Sequence, residues 1–156
     1  MPDAPLCDVL LEKIREQIER TAHLSALVPD ARQDWMPSPG AWSTRELVGH
    51  LLDCISGFCA VLSAAEPERL AHFAKLRQMP ATIEIYRSHI EEGFALLTDA
   101  DLARRVPTVF VAHGEPVLTL FLGNLEHLIN HKHQLFTYLK QMGMPVATPD
   151  LYRFRA

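Results

Sequence analysis

"HLINHKHQLFTYLKQMG", residues 127–143, has the apolar spacing of one face of a helix in Leu128, Leu135 and Leu139, and it ends on Gly143 with Pro145 just beyond. A glycine at C′ followed by a proline is a helix stop. Carried backwards at about 100° per residue, the wheel adds Leu118, Phe121 and Leu125 to the same arc, so the segment predicts one long amphipathic helix over 116–142. Three histidines break its pattern. A core gains little from imidazoles, because each brings two nitrogens that need partners when buried. His131 lies about 60° to one side of Leu128 and His127 about 100° to the same side, which puts both at the border of the apolar stripe. His133 is about 200° round from His131 and points elsewhere.

Three further helical stretches precede this one. The first is expected over 8–27, with Leu10, Ile14, Ile18, Leu24 and Leu27 near a 3.6-residue period and Pro29 ending it. "PDARQDWMPSPG" follows as a loop. Ser43 then caps a second helix over 43–64, with Glu46 three residues on in a capping-box pattern and Leu47, Leu51, Ile55, Phe58 and Leu62 as its stripe. Short helical turns are expected over 67–78, and Pro80 opens a third helix over 80–98 with Ile83, Ile85, Ile90, Phe94 and Leu97. "DADLARRVPTVFVAHGE", residues 99–115, loses the helical period and reads as a crossover loop or a small hairpin, any strand being confined to 104–113. Four long amphipathic segments with proline-marked breaks predict an all-α four-helix bundle, with a crossover loop before the last helix and one domain over 1–156.

The second helix also carries a histidine at the edge of its stripe. His50 lies about 100° from Leu51, with Glu46 and Gly57 on the same flank. Gly57 would spare side-chain bulk beside it. Bundles build metal sites from facing side chains of this kind, which makes His50, His127 and His131 candidate ligands; the alternative on spacing alone is that the HxxxH pair serves as a surface or interhelical hydrogen-bonding pair. Three neutral imidazoles suit Zn²⁺, Ni²⁺ or Fe²⁺, and three protein ligands leave positions open for water or substrate. Cys54 lies at i+4 from His50 but nearer the stripe, and is expected to pack in the core and not to bind metal. Glu46 and Asp53 are nearby carboxylates able to orient ligands or accept a proton. Trp35 and Trp42 read as packing residues at a helix entrance.

Composition narrows the classes of function. The chain has 156 residues, 48% hydrophobic and 22% charged, as ordinary globular proteins do. A formal charge of −4 with no basic block argues against a nucleic-acid partner. No apolar run reaches the length of a membrane span, and an acidic start without a secretory pattern predicts a cytoplasmic protein with no membrane partner. Cys7, Cys54 and Cys59 are an odd set without CxxC, so no disulfide framework is expected.

"AWSTRELVGHLLD", residues 41–53, and "HLINHKHQLFTYLKQMG" together resemble the DinB-like superfamily, which includes the YfiT-type hydrolases. That pattern has a Trp-Ser helix start before a first histidine, then HxxxH followed by Arg-Gly-Gln-Leu, and a helix ending in Gly-x-Pro. Here these are Trp42, Ser43 and His50; His127 and His131; Lys132, His133, Gln134 and Leu135; and Gly143 and Pro145. Lys132 and His133 depart from the usual Arg and Gly. The closing "TPDLYRF" is similar to the family's Pro-rich tail. The resemblance spans residues 8–152 and implies a three-histidine metal site. It also implies a small-molecule substrate, a low-molecular-weight thiol such as bacillithiol or mycothiol as cosubstrate, transferase, isomerase or hydrolase chemistry, and a homodimer. The competing expectation is a non-catalytic helical module whose metal is structural or vestigial and whose surface serves dimerisation or partner binding.

Overall fold

Four long helices carry the chain: α1 (Leu6–Ala26), α2 (Thr44–Ser63), α3 (Met79–Ala95) and α4 (Val117–Gln141), with a short α5 at Thr148–Leu151. The structure, a computed structural model, describes residues 5–63, 79–108 and 111–153. The turns expected over 67–78 lie outside the described residues. No helix among those described is long and apolar enough to cross a membrane.

Each helix buries most of the stripe its sequence announces. Leu10, Ile14, Ile18 and Leu24 of α1 meet Leu47, Leu51, Ile55 and Phe58 of α2, Ile83, Ile90 and Phe94 of α3, and Phe121, Leu128, Leu135 and Leu139 of α4 in one core. Burying each such side chain contributes on the order of 1.5–3 kcal/mol. At the stripe ends Leu27, Leu62, Leu97 and Leu118 are only half-buried. Ile85, expected to face inward, is 48% exposed. Tyr86 takes the inward place, because 83, 86, 90 and 94 hold the helical period, whereas 85 falls about 100° from 86 and at least about 140° from the other three.

The pairing of helices is decided by the two long connections. α2 packs on α3 and α4, and α1 packs on the same two, so α1 and α2 face each other across a diagonal. Phe94 and Phe121 meet across the other, with ring centroids 5.1 Å apart. Residues 27–43 cross the first diagonal and are pinned at their end by Thr44, whose N–H and hydroxyl donate to the Trp35 carbonyl at 2.9 and 3.1 Å. The stretch before α4 crosses the second and contains an antiparallel pair, β1 (Arg105–Val106) with β2 (Glu115–Pro116). β2 lies outside the 104–113 window allowed for strands by the sequence: the hairpin closes against the entrance of α4, where Pro116 ends the pairing and caps the helix.

Helix ends are held by specific donors and acceptors. Ser43 and Glu46 form the expected box, the Ser43 N–H donating to Glu46 Oε2 at 2.7 Å and the Glu46 N–H to Ser43 Oγ at 3.3 Å. α1 begins two residues earlier than expected because Asp99, distant in sequence, accepts the N–H groups of Leu6 and Cys7 at 3.0 and 2.9 Å. At the end of α4, Gly143 adopts a φ of 81°. Its N–H donates to Lys140 O and that of Met144 to Leu139 O, both at 3.0 Å, which is a Schellman closure.

Candidate metal centre

α2 and α4 run antiparallel along one seam, as successive contacts show. His50 meets His127, the Asn124 amide donates to the Cys54 carbonyl at 2.8 Å, and Phe58 stacks on Phe121 with centroids 6.4 Å apart. A Cβ on Gly57 would stand 2.6 Å from Asn124 Oδ1. The room left by Gly57 is therefore filled by Asn124, a correction to the reading that it clears space beside His50. The Asn124 bond ties the helices one turn from His50 on α2 and one turn from His127 on α4.

At the end of this seam the three predicted histidines come together. One ring nitrogen from each of His50, His127 and His131 lies within 4.8 Å of the others, and the Nε2 atoms of His50 and His127 are 3.1 Å apart. Nitrogens around a tetrahedral Zn²⁺ with bonds of about 2.0–2.1 Å stand roughly 3.4 Å apart, so the donors fit a single divalent cation with small side-chain adjustment. His50 and His131 are half-buried and His127 is exposed, which leaves the cluster open to solvent on the His127 side. Burial, followed by the His131 and His127 imidazoles, lowers the pKa of His50. Burial and then His131 do the same for His127. Both effects favour neutral rings with free lone pairs near neutral pH.

Trp42 covers the cluster. Its ring centroid is 4.8 Å from that of His50 and 5.5 Å from that of His131. The sequence reading gave this residue to packing and missed its place against His50 and His131; its position immediately before the cap of the histidine-bearing helix was the available signal. Gln134 was missed in the same way. Its Oε1 lies 2.9 Å from His131 Nδ1, one helical turn on.

The remaining site candidates are placed as follows. His133 is exposed and stacks on Phe136, with centroids 6.0 Å apart. Cys54 is 3% exposed, and its thiol is pushed up to about 12 by burial and then by the Asp53 charge, which keeps it protonated. It lies outside the three-histidine group. Glu46 accepts from both the N–H and the hydroxyl of Ser43, and these bonds lower its pKa. Asp53, half-buried, carries a charge that acts on His50.

Residues 13–135 match the protein family described as the DinB superfamily. Among solved structures, a DinB-like protein from Bacillus subtilis superposes with a TM-score of 0.74 at 21% identity, over 93% of this chain and 96% of that one. A DinB-like protein from Bacillus cereus gives 0.75 at 15% identity, over 88% and 93%. At these identities the likeness concerns the fold. A search of the curated proteins finds no match.

Proposed function

We propose that this chain, which belongs to the DinB superfamily, is a divalent-metal-dependent enzyme acting on a small electrophilic molecule, with His50, His127 and His131 as the metal ligands. The observation that carries the reading is the convergence of three imidazoles from two helices on a solvent-facing point. A closed structural zinc site would take four protein ligands, and Cys54 lies outside the three-histidine group. A bound divalent cation supplies Lewis acidity, lowering the pKa of a thiol or water brought to its open positions so that a nucleophilic anion forms near neutral pH.

The chain's own residues do the rest. The three imidazoles would hold the cation and, as neutral ligands, would leave it most of its charge. The Trp42 ring walls off one side and shields the charge that develops there from bulk water. Asp53 is the carboxylate assigned to accept the proton released by the nucleophile. Glu46, engaged with Ser43, fixes the first turn of α2 and hence the direction from which His50 approaches. A low-molecular-weight thiol is the favoured cosubstrate, its thiolate forming a C–S bond to the electrophile as a halide leaves or an epoxide C–O bond opens; hydrolysis with water in its place is the simpler variant of the same chemistry.

Metal analysis of purified, folded wild type and of His50→Ala, His127→Ala, His131→Ala and His133→Ala tests the ligand set. The first three variants are expected to lose the metal and the fourth to keep it. Equal metal content in wild type and His50→Ala removes the interhelical site. Thiol consumption in the presence of alkyl halides and epoxides, compared with ester hydrolysis, then separates transferase from hydrolase activity.

A further inference from the structure

His131 is the only one of the three ligands whose second ring nitrogen is bonded to a side chain outside the cluster among the described residues, and that bond begins a chain of three. His131 Nδ1 lies 2.9 Å from Gln134 Oε1, Gln134 Nε2 donates to the Tyr138 hydroxyl at 3.4 Å, and the Tyr138 hydroxyl donates to the Trp42 carbonyl at 3.1 Å. The polarity of this chain is fixed from one end. A main-chain carbonyl can only accept, so Tyr138 must donate to it. The Tyr138 oxygen is then free to accept from the Gln134 amide nitrogen. That turns the Gln134 carbonyl oxygen towards the imidazole, which must answer with an N–H at Nδ1.

We propose that Gln134 and Tyr138 are positioning residues that lock His131 in its Nδ1–H tautomer, presenting the Nε2 lone pair to the cation, with the Trp42 carbonyl as the anchor that sets the direction. The inference rests on the proposed metal site for its purpose, but the tautomer itself exists in the metal-free protein. The lock opposes intrinsic preference, since an isolated neutral imidazole side chain favours the Nε2–H form. Tyr138 is buried and its ring meets Trp35 edge-on, with centroids 5.3 Å apart, so the hydroxyl is held in place by the packed ring and by its bond to the Trp42 carbonyl. The segment that enters α2 is in this way coupled to a ligand on α4, and Trp42 acts on the site twice, through its ring and through its carbonyl.

Long-range ¹H–¹⁵N spectra of the histidine rings in metal-free protein read the tautomer directly. Wild type is expected to show His131 protonated at Nδ1. Gln134→Leu removes the acceptor and Tyr138→Phe frees the amide to turn round; both should move His131 towards the Nε2–H form. Gln134→Glu keeps an acceptor and should restore Nδ1–H. Zn²⁺ titration of the same proteins should show affinity lowered roughly 10- to 100-fold in Gln134→Leu with unchanged stoichiometry. An Nδ1–H tautomer that persists in folded Gln134→Leu and Tyr138→Phe overturns the proposal, and a shift in Gln134→Leu alone overturns the anchor at Trp42. Failure of the metal reading looks different: wild type would not bind Zn²⁺ although the tautomer shifts as described.

Discussion

Lys132 offers a sharp test of how this bundle holds its C-terminal segment. Only 2% exposed, its ammonium donates to Gln17 Oε1 on α1 at 2.7 Å and to the Leu151 carbonyl on α5 at 2.8 Å, and it lies 5.5 Å from the centroid of the Tyr152 ring. Both hydrogen-bond acceptors are neutral, so burial dominates: it lowers the pKa from 10.5 to about 8, with Lys13 and Arg20 adding to the fall and Glu16 opposing it. Converted at about 1.4 kcal/mol per tenfold change in proton affinity, the fall corresponds to at most about 3.5 kcal/mol, and to less where solvent screens the charge. The folded state favours the neutral amine, so this contribution is fully present above pH 10.5 and is lost as pH falls to about 8. Urea unfolding of wild type and Lys132→Met across that interval gives the measurement, the difference cancelling other groups that titrate there. Wild type should gain stability relative to the variant as pH rises, with a slope approaching at most about 1.4 kcal/mol per pH unit. Parallel profiles, or a gap that closes in the opposite direction, would show that the ammonium is well solvated or paired with a negative charge, and would refute the reasoning from burial.

Three further outcomes are expected. Cys54→Ala should cost about 1 kcal/mol of stability through lost packing and leave metal stoichiometry unchanged, as unfolding and metal analysis together will show. Gly57→Ala should leave stability within about 1 kcal/mol of wild type, because the gain in helix propensity offsets the hydrogen bond that Asn124 loses when it is pushed aside. Its Zn²⁺ affinity, measured by titration, should nonetheless fall, since that bond ties α2 to α4 beside the three histidines; unchanged affinity would show that the tie plays no part in the site. Zn²⁺ affinity of wild type should hold near neutral pH and decline in acid, because protons compete for the same lone pairs and burial places His50 and His127 below the ordinary histidine range. An affinity that rises in acid would point to ligands other than imidazole.

Much of the fold was legible because helix signals are local. The stripes of α1, α2 and α4, the Ser43–Glu46 box and the Gly143 stop all depend on residues within a few positions of one another. The histidine set was legible for the same reason, two of the three histidines being one turn apart and the third at a comparable azimuth on another helix. What escaped depends on distant pairs. Nothing near Leu6 announces that Asp99 will cap α1, and Gly57 shows only a missing side chain, not that Asn124 will fill the gap. Ile85 misled because an isoleucine one position off the stripe looks apolar enough to belong to it. Trp42 and Gln134 were visible as residues, but their roles need the geometry of the loop before α2 laid against α4.

The Trp42 ring against His50 and His131 also makes the protein a self-reporting one. An indole this close to a paramagnetic Ni²⁺ or Fe²⁺ would lose its emission by quenching, whereas diamagnetic Zn²⁺ would leave it bright. Trp35 packs on Tyr138 instead and supplies a second emitter to compare against. At 42% exposure Trp42 is also open to added quenchers from solvent, so its light registers both what arrives at the three imidazoles and whether that face of the bundle has been covered.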